Sequence, residues 1–246
     1  MRQKHLFLCV IFISGLCLSA FSQVSNSYTY SVKFVSKGKM LINDICVLDI
    51  GKTSSFFYSQ GQLDENRELE AMITKSMADG SSLHLDSKSF KTGICNFSIV
   101  KDYAKRKAIY VQTVSRQNLG FVRDSLSNKR WKILNEKKII NNLKCQKAQM
   151  KRDTTLITAW FCSDIPTQEG PLYYYGLPGL IVKVNSDAGW EASLISIEKR
   201  KQPDIKIPSY ALITEDKLKK AIQNSKGRVA NGKISLPNGG TATPKN

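Results

Sequence analysis

Tyr28, Tyr30, Val32 and Phe34 alternate with Thr29, Ser31 and Lys33. This period-two pattern recurs along the chain and constrains its fold more than any other feature. Alternation puts every second side chain on one face of a strand. Further strands are expected at 40–50, 54–59, 92–100, 108–114, 120–124, 130–134, 143–150, 155–162, 180–184 and 190–197. Strands this short and close, punctuated by Gly, Asn, Asp and Ser, predict a mainly β fold: one curved, largely antiparallel sheet. Two segments break the pattern. Residues 64–77 set Leu69, Met72, Ile73 and Met77 at helical spacing before Gly80, which predicts a helix packed on the sheet. Thr214 suits the cap of a second helix, with Glu215 and Asp216 in its first turn and Leu218, Ala221 and Ile222 along one face. From Lys226 onward the composition is that of a flexible basic tail.

The N-terminus reads as a secretory signal. Arg2 and Lys4 precede an apolar core over 6–18, and Ala20-Phe21-Ser22 is a small-x-small cleavage site before Gln23. Cys17 follows Leu16 rather than a small residue, so it belongs to the discarded core and not to a lipid anchor. The expected organisation is a signal over 1–22, a single β-rich domain over 23–213, and a C-terminal helix with its tail over 214–246. The product is expected in the periplasm or secreted. The formal net charge of +17 favours anionic envelope partners. No recognition helix, zinc finger or RNA-binding signature accompanies that charge, and export itself argues against nucleic acid.

Leu177-Pro178-Gly179-Leu180 reads as a type II turn, with Pro178 fixing φ at the first corner and Gly179 supplying positive φ at the second. Four cysteines follow the signal: Cys46, Cys95, Cys145 and Cys162. An even count in an oxidising compartment predicts disulfides. A hairpin turning at Asp153-Thr154 sets Cys145 opposite Cys162, which predicts that bond, and Cys46 then pairs with Cys95 by elimination. No C-x-x-C or nearby histidine points to a metal, and no cofactor is expected. Catalytic signals are sparse. His84 is the one histidine beyond the signal, and no G-x-S-x-G, P-loop or G-x-G-x-x-G is present. No catalytic residue is assigned.

From Trp131 onward the chain resembles the GLPGLI family of exported Gram-negative proteins. The resemblance is carried by Trp131-Lys132-Ile133, Lys138-Ile139-Ile140, Leu143 to Ala148, Ala159-Trp160-Phe161, Ile165-Pro166 and Glu169-Gly170-Pro171. It ends on Gly176, Leu177, Pro178, Gly179, Leu180 and Ile181, the motif that gives the family its name. Three positions depart from the family pattern: Asn142-Leu143 stands for Gly-Tyr, 152–155 for a segment with Gly-Arg, and Cys162 for a non-cysteine. Asn142 is the best substitute for a positive-φ glycine. The resemblance implies no established activity and no catalytic residues. It also implies a half-barrel similar to lipoprotein-carrier-like proteins.

The expected function is therefore a non-catalytic binding, carrier or accessory module of the envelope. Trp131, Trp160, Tyr173, Tyr174 and Tyr175 are the candidate groove for an apolar ligand, a peptide or an envelope protein. The alternatives are a basic protein that docks on anionic envelope polymers and a hydrolase with dispersed carboxylates.

Overall fold

The computed structural model describes residues 25–81, 93–115, 117–126, 131–200, 205–230, 234–235 and 241–242. The expected signal peptide, its cleavage site, Cys17 and His84 lie outside the described residues. The expected strands form. They are β1 (Ser25–Ser36), β2 (Lys39–Ile50), β3 (Ser54–Ser59), β4 (Phe97–Asp102), β5 (Lys107–Val114) and β6 (Gln117–Ser125), then β7 (Lys132–Ile140), β8 (Leu143–Arg152), β9 (Thr155–Cys162), β10 (Leu180–Ser186) and β11 (Trp190–Arg200). Two meanders, β1–β6 and β7–β11, fuse where β11 pairs antiparallel with the free edge of β1. A two-residue strand, β12 (Ala211–Leu212), adds parallel to β6. The resulting sheet has twelve strands in the order β12-β6-β5-β4-β3-β2-β1-β11-β10-β9-β8-β7, open and curved rather than closed into a barrel.

Turn chemistry sets the register. Asn141 and Asn142 both take positive φ between β7 and β8, so asparagine does supply the bend there. Asp153 takes positive φ between β8 and β9, and Arg152 faces Thr155 across that turn. Tyr28, Tyr30 and Val32 of β1, Leu48 of β2, Phe57 of β3 and Ile99 of β4 form the buried concave core with Ala148, Ala159, Phe161, Val184 and Ala192 of the second meander. On the outer face Phe56, Val100, Ile109 and Val111 pack under Ile205, Ile207 and Tyr210.

The helices differ from expectation. α1 (Gln60–Asp79) begins at the end of β3, capped by Ser59 Oγ on the N–H of Gln62 at 2.9 Å, and ends at Gly80 with φ 69°. It is not packed on the sheet along its length. None of its residues is buried, and Met72 and Met77 are exposed. Its first turn meets the sheet, where Gly61 sits against Ile94 and Asp44. α2 (Glu215–Ala230) starts after Thr214 as expected and packs Leu218 on Val114 and Phe121. It continues beyond Lys226, and β13 (Ile234–Ser235) pairs with β14 (Thr241–Ala242) in the segment whose composition reads as a tail.

Candidate functional site

Strand β4 places Phe97, Ile99 and Lys101 on the concave face, because alternation sends Ser98 and Val100 outward. A lysine at an inward position must find acceptors, since an unpaired buried ammonium is prohibitively costly. Lys101 Nζ donates to Glu169 Oε2 at 2.6 Å, to Gly170 O at 2.9 Å and to Tyr174 O at 3.1 Å. All three ammonium donors are thus used. Burial pushes the Lys101 amine below its usual range, and Glu169 opposes that shift. The hydroxyls of Ser55 and Tyr103 are buried nearby without a well-formed hydrogen bond, and burial with the adjacent Glu169 charge pushes the Tyr103 phenol up.

Lys101 is one of several tethers on the loop that joins β9 to β10, residues 163–179. This loop fills the concave face with Leu172, Tyr174 and Leu177. Trp131 Nε1 donates to Tyr175 O at 2.9 Å and Tyr175 OH to Ser125 O at 2.7 Å, while Tyr30 OH donates to Ile181 O of β10, just past the loop, at 2.8 Å. Gly170 passes so close to β10 that a Cβ there would lie 2.7 Å from Ile181 Cβ.

The motif ends the loop, and its corner is not the expected type II turn. Gly179 N–H bonds to Leu177 O at 2.8 Å, a tighter three-residue turn centred on Pro178. Leu180 N–H goes instead to Ile165 O at 3.1 Å. Gly179 does take positive φ, 152°, but close approach is the stronger constraint: a Cβ there would lie 2.2 Å from Cys162 O.

The space left on the concave face is a cavity of about 290 Å³ between β4–β6, the loop and α2. Its walls are aromatic. Phe97 stacks on Tyr110 with centroids 5.0 Å apart, Trp190 meets Phe97 edge-on at 6.1 Å, and Tyr110 meets Phe121 at 5.3 Å. Tyr173 and Leu172 close it from the loop, and Leu218 and Ile222 from α2. Arg123, Glu215 and Lys219 form its polar edge, with Lys219 Nζ 3.1 Å from Glu215 and Arg123 at 4.0 Å. The guanidinium groups of Arg123 and Arg152 lie 5.7 and 5.4 Å from the Tyr173 ring centroid. Burial pushes the Tyr110 phenol up to about 12, and Arg123 opposes the shift.

Of the expected groove residues, Tyr173 alone lines this cavity. Tyr174 and Tyr175 are buried within the loop's own packing, and Trp131 pins the loop from outside. Trp160 belongs to the outer face: it pairs across to Lys147 and Lys183, and Lys138 Nζ lies 4.0 Å above its ring. The expected disulfides are not formed, and all four cysteines are free. The hairpin has the expected register, but its paired residues stop at Gln146 and Phe161, one position short of the two cysteines, and the Cys145 thiol donates to Leu143 O at 3.4 Å. Cys46 and Cys95 do come together, beside Asp44. Sequence reasoning did not single out Lys101, and it placed Glu169 only in a segment that carries the family resemblance, without a role. The legible signal was a lysine at an inward position of β4.

Residues 97–183 match a protein family described as "Protein of unknown function (Porph_ging)", a stretch that holds Lys101, Glu169 and the whole 176–181 motif. A comparison with curated proteins found no match. Among solved structures, the fold is similar to two crystal forms described as "Structure of PNGF-II", in space groups P21 and C2. Each has a TM-score of 0.55, at 14% and 13% identity. The alignment covers 82% of this chain but 34% and 33% of those chains, so this chain spans about a third of their length. At that identity the likeness is one of fold.

Proposed function

We propose that this protein is an exported, non-catalytic binding module of the cell envelope that holds a small amphipathic anion in the cavity beneath α2. The observation that carries the reading is the cavity itself. A solvent-open pocket walled mainly by aromatic side chains, with a few polar groups at its rim, has the make-up of a small-molecule site. Here about 290 Å³ stays open, walled by five aromatic rings. That is close to the lower end of small-molecule sites. At about 30 Å³ per water-sized group, it takes a ligand of about ten non-hydrogen atoms, the size of a medium-chain carboxylic acid. Arg123 and Lys219 outnumber Glu215 at the polar edge, which favours an acidic head group.

A wide carrier groove is not supported, because the 163–179 loop occupies the face that such a groove would use. The hydrolase reading draws no support either, since Glu169 faces an ammonium rather than a second carboxylate. The polymer-docking reading rests on one observation, the exposed Lys138 and the half-buried Lys147 over Trp160 on the outer face.

Titration calorimetry of the full chain with octanoic acid and octanol tests the proposal, with tryptophan fluorescence as a second readout. Saturable binding of the acid is expected at one site. Ile222→Trp should fill the cavity and abolish it, while Arg123→Gln should weaken the acid and leave the alcohol unchanged. Binding that survives Ile222→Trp, or no saturable binding of either compound, would overturn the assignment.

A further inference from the structure

Outside the cavity and the loop, three side chains converge on one buried point. Asp44 and Cys46 are two residues apart on β2 and so share a face of the strand. Cys95 reaches them from the segment that enters β4, and its N–H donates to Asp44 Oδ2 at 2.8 Å. One carboxylate oxygen and the two Sγ atoms all lie within 4.8 Å of one another, in residues that are all buried. We propose that Asp44, Cys46 and Cys95 form a binding site for a zinc-type divalent cation, which staples residues 93–96 to β2.

The donor set fits that ion. Two thiolates and a carboxylate select a borderline-soft, tetrahedral cation over calcium or magnesium. With metal–sulfur bonds of about 2.3 Å, tetrahedral ligand atoms stand about 3.7 Å apart. The Cys46 Sγ to Asp44 Oδ2 separation is already 3.7 Å. The carboxylate is held in place before any ion arrives, because Oδ1 accepts from Ile45 N–H at 2.8 Å while Oδ2 accepts from Cys95. Hydrogen bonds of this kind orient ligands in metal sites. Among the described residues no basic side chain pairs with Asp44, so a cation would supply the countercharge a buried carboxylate needs. Binding releases both thiol protons to solvent, so affinity rises with pH. Three protein ligands leave the fourth position to water.

The test uses the full chain with its thiols reduced. Titration with Co²⁺ alone is expected to give thiolate-to-metal absorption that saturates at one ion per chain, and one equivalent of Zn²⁺ should remove it. In the unmutated chain, Zn²⁺ should slow alkylation of Cys46 and Cys95 by at least about tenfold by peptide mapping, leaving Cys145 and Cys162 unaffected. Asp44→Asn should weaken binding by about tenfold or more, and Cys145→Ser should not change it. Absence of the thiolate band, or protection that falls on Cys145 and Cys162, would overturn the site. So would a Cys46–Cys95 disulfide in protein isolated from the envelope without reductant, because the two sulfurs would then be spent on each other.

Discussion

Replacing Lys101 by methionine tests whether the loop is held in place by the ion pair beneath it. The side chain is 1% exposed and Glu169 6% exposed. Methionine keeps most of the buried stem and removes the charge together with three hydrogen bonds, to Glu169, Gly170 and Tyr174. The dominant penalty is the carboxylate of Glu169 left buried without its cation. Breaking a buried pair from one side costs about 3–5 kcal/mol. For a chain of this size each kcal/mol lowers Tm by about 2–4 °C, so a fall of about 6–20 °C is expected. Adding Glu169→Gln to the same chain removes the orphan charge and should recover part of that loss. Recovery stays incomplete because the carbonyls of Gly170 and Tyr174 remain short of a donor. Urea unfolding of the four chains of this double-mutant cycle measures the coupling. If Lys101→Met costs less than about 1 kcal/mol, or if the two substitutions simply add, the ion pair is not what fastens the loop. A stable Lys101→Met chain that had lost octanoic acid binding would show instead that the ammonium serves the ligand.

Gly179→Ala should destabilise far more than Pro178→Ala, since its Cβ would fall 2.2 Å from Cys162 O while Pro178 is exposed and contributes preorganisation; thermal melts of both chains compare them. Leu218→Ala should cost about 2–3 kcal/mol and make α2 the first segment cut in limited proteolysis, because Leu218 is the one α2 side chain described as buried. Burial pushes the Cys145 thiol up to about 11, so its alkylation should stay slow through pH 9 and accelerate near pH 11. A thiol whose folded pKa is raised contributes fully below its unfolded value near 9, and that contribution is lost as pH rises towards 11. A Cys145→Ser chain should therefore show a flatter stability profile between pH 9 and 11.

Much of the sheet was legible in the sequence, because its strands alternate sharply where one face is buried. β3 and β9 run over the expected residues, and the Asp153-Thr154 turn gives the expected register. β7 was shorter in expectation than in the structure. It is an edge strand whose residues are mostly exposed, so no buried face imposes alternation on its lysines. β12 left no local signal at two residues, since its pairing with β6 depends on where 205–210 packs. α1 was expected from 64, where acids precede the helical spacing of Leu69, Met72, Ile73 and Met77, yet Ser59 at the end of β3 supplies the cap and the helix starts earlier. Its apolar spacing suggested packing, yet none of its residues is buried. Gly179 was expected to supply positive φ for a type II turn; it does take positive φ, but the tighter constraint is the carbonyl of Cys162, 17 positions earlier. The candidate site was the least legible part. Its rings come from β4, β5, β6, β11 and the loop, and no local pattern announces that Phe97, Tyr110, Phe121 and Trp190 meet.

The same C-terminal segment that guards the sheet edge also roofs the cavity. Residues 205–210 cover the outer face over Phe56, Val100 and Ile109, β12 pairs with β6, and α2 then turns onto the concave side. Covering an edge strand suppresses pairing with other chains. A roof built this way is held by few apolar contacts, chiefly Leu218 with the partly buried Ala221 and Ile222. Elements with little buried apolar surface open at a free energy well below that of global unfolding. A ligand that touches Leu218 and Ile222 binds only the docked state of α2, so it must shift the population towards that state. The loop side of the cavity is fixed by Lys101, Trp131 and the Tyr175 hydroxyl and has no such freedom. Ligand entry and exit therefore run through α2. Leu218→Ala should then weaken octanoic acid binding through lost docking, even though the polar edge formed by Arg123 and Lys219 keeps its residues.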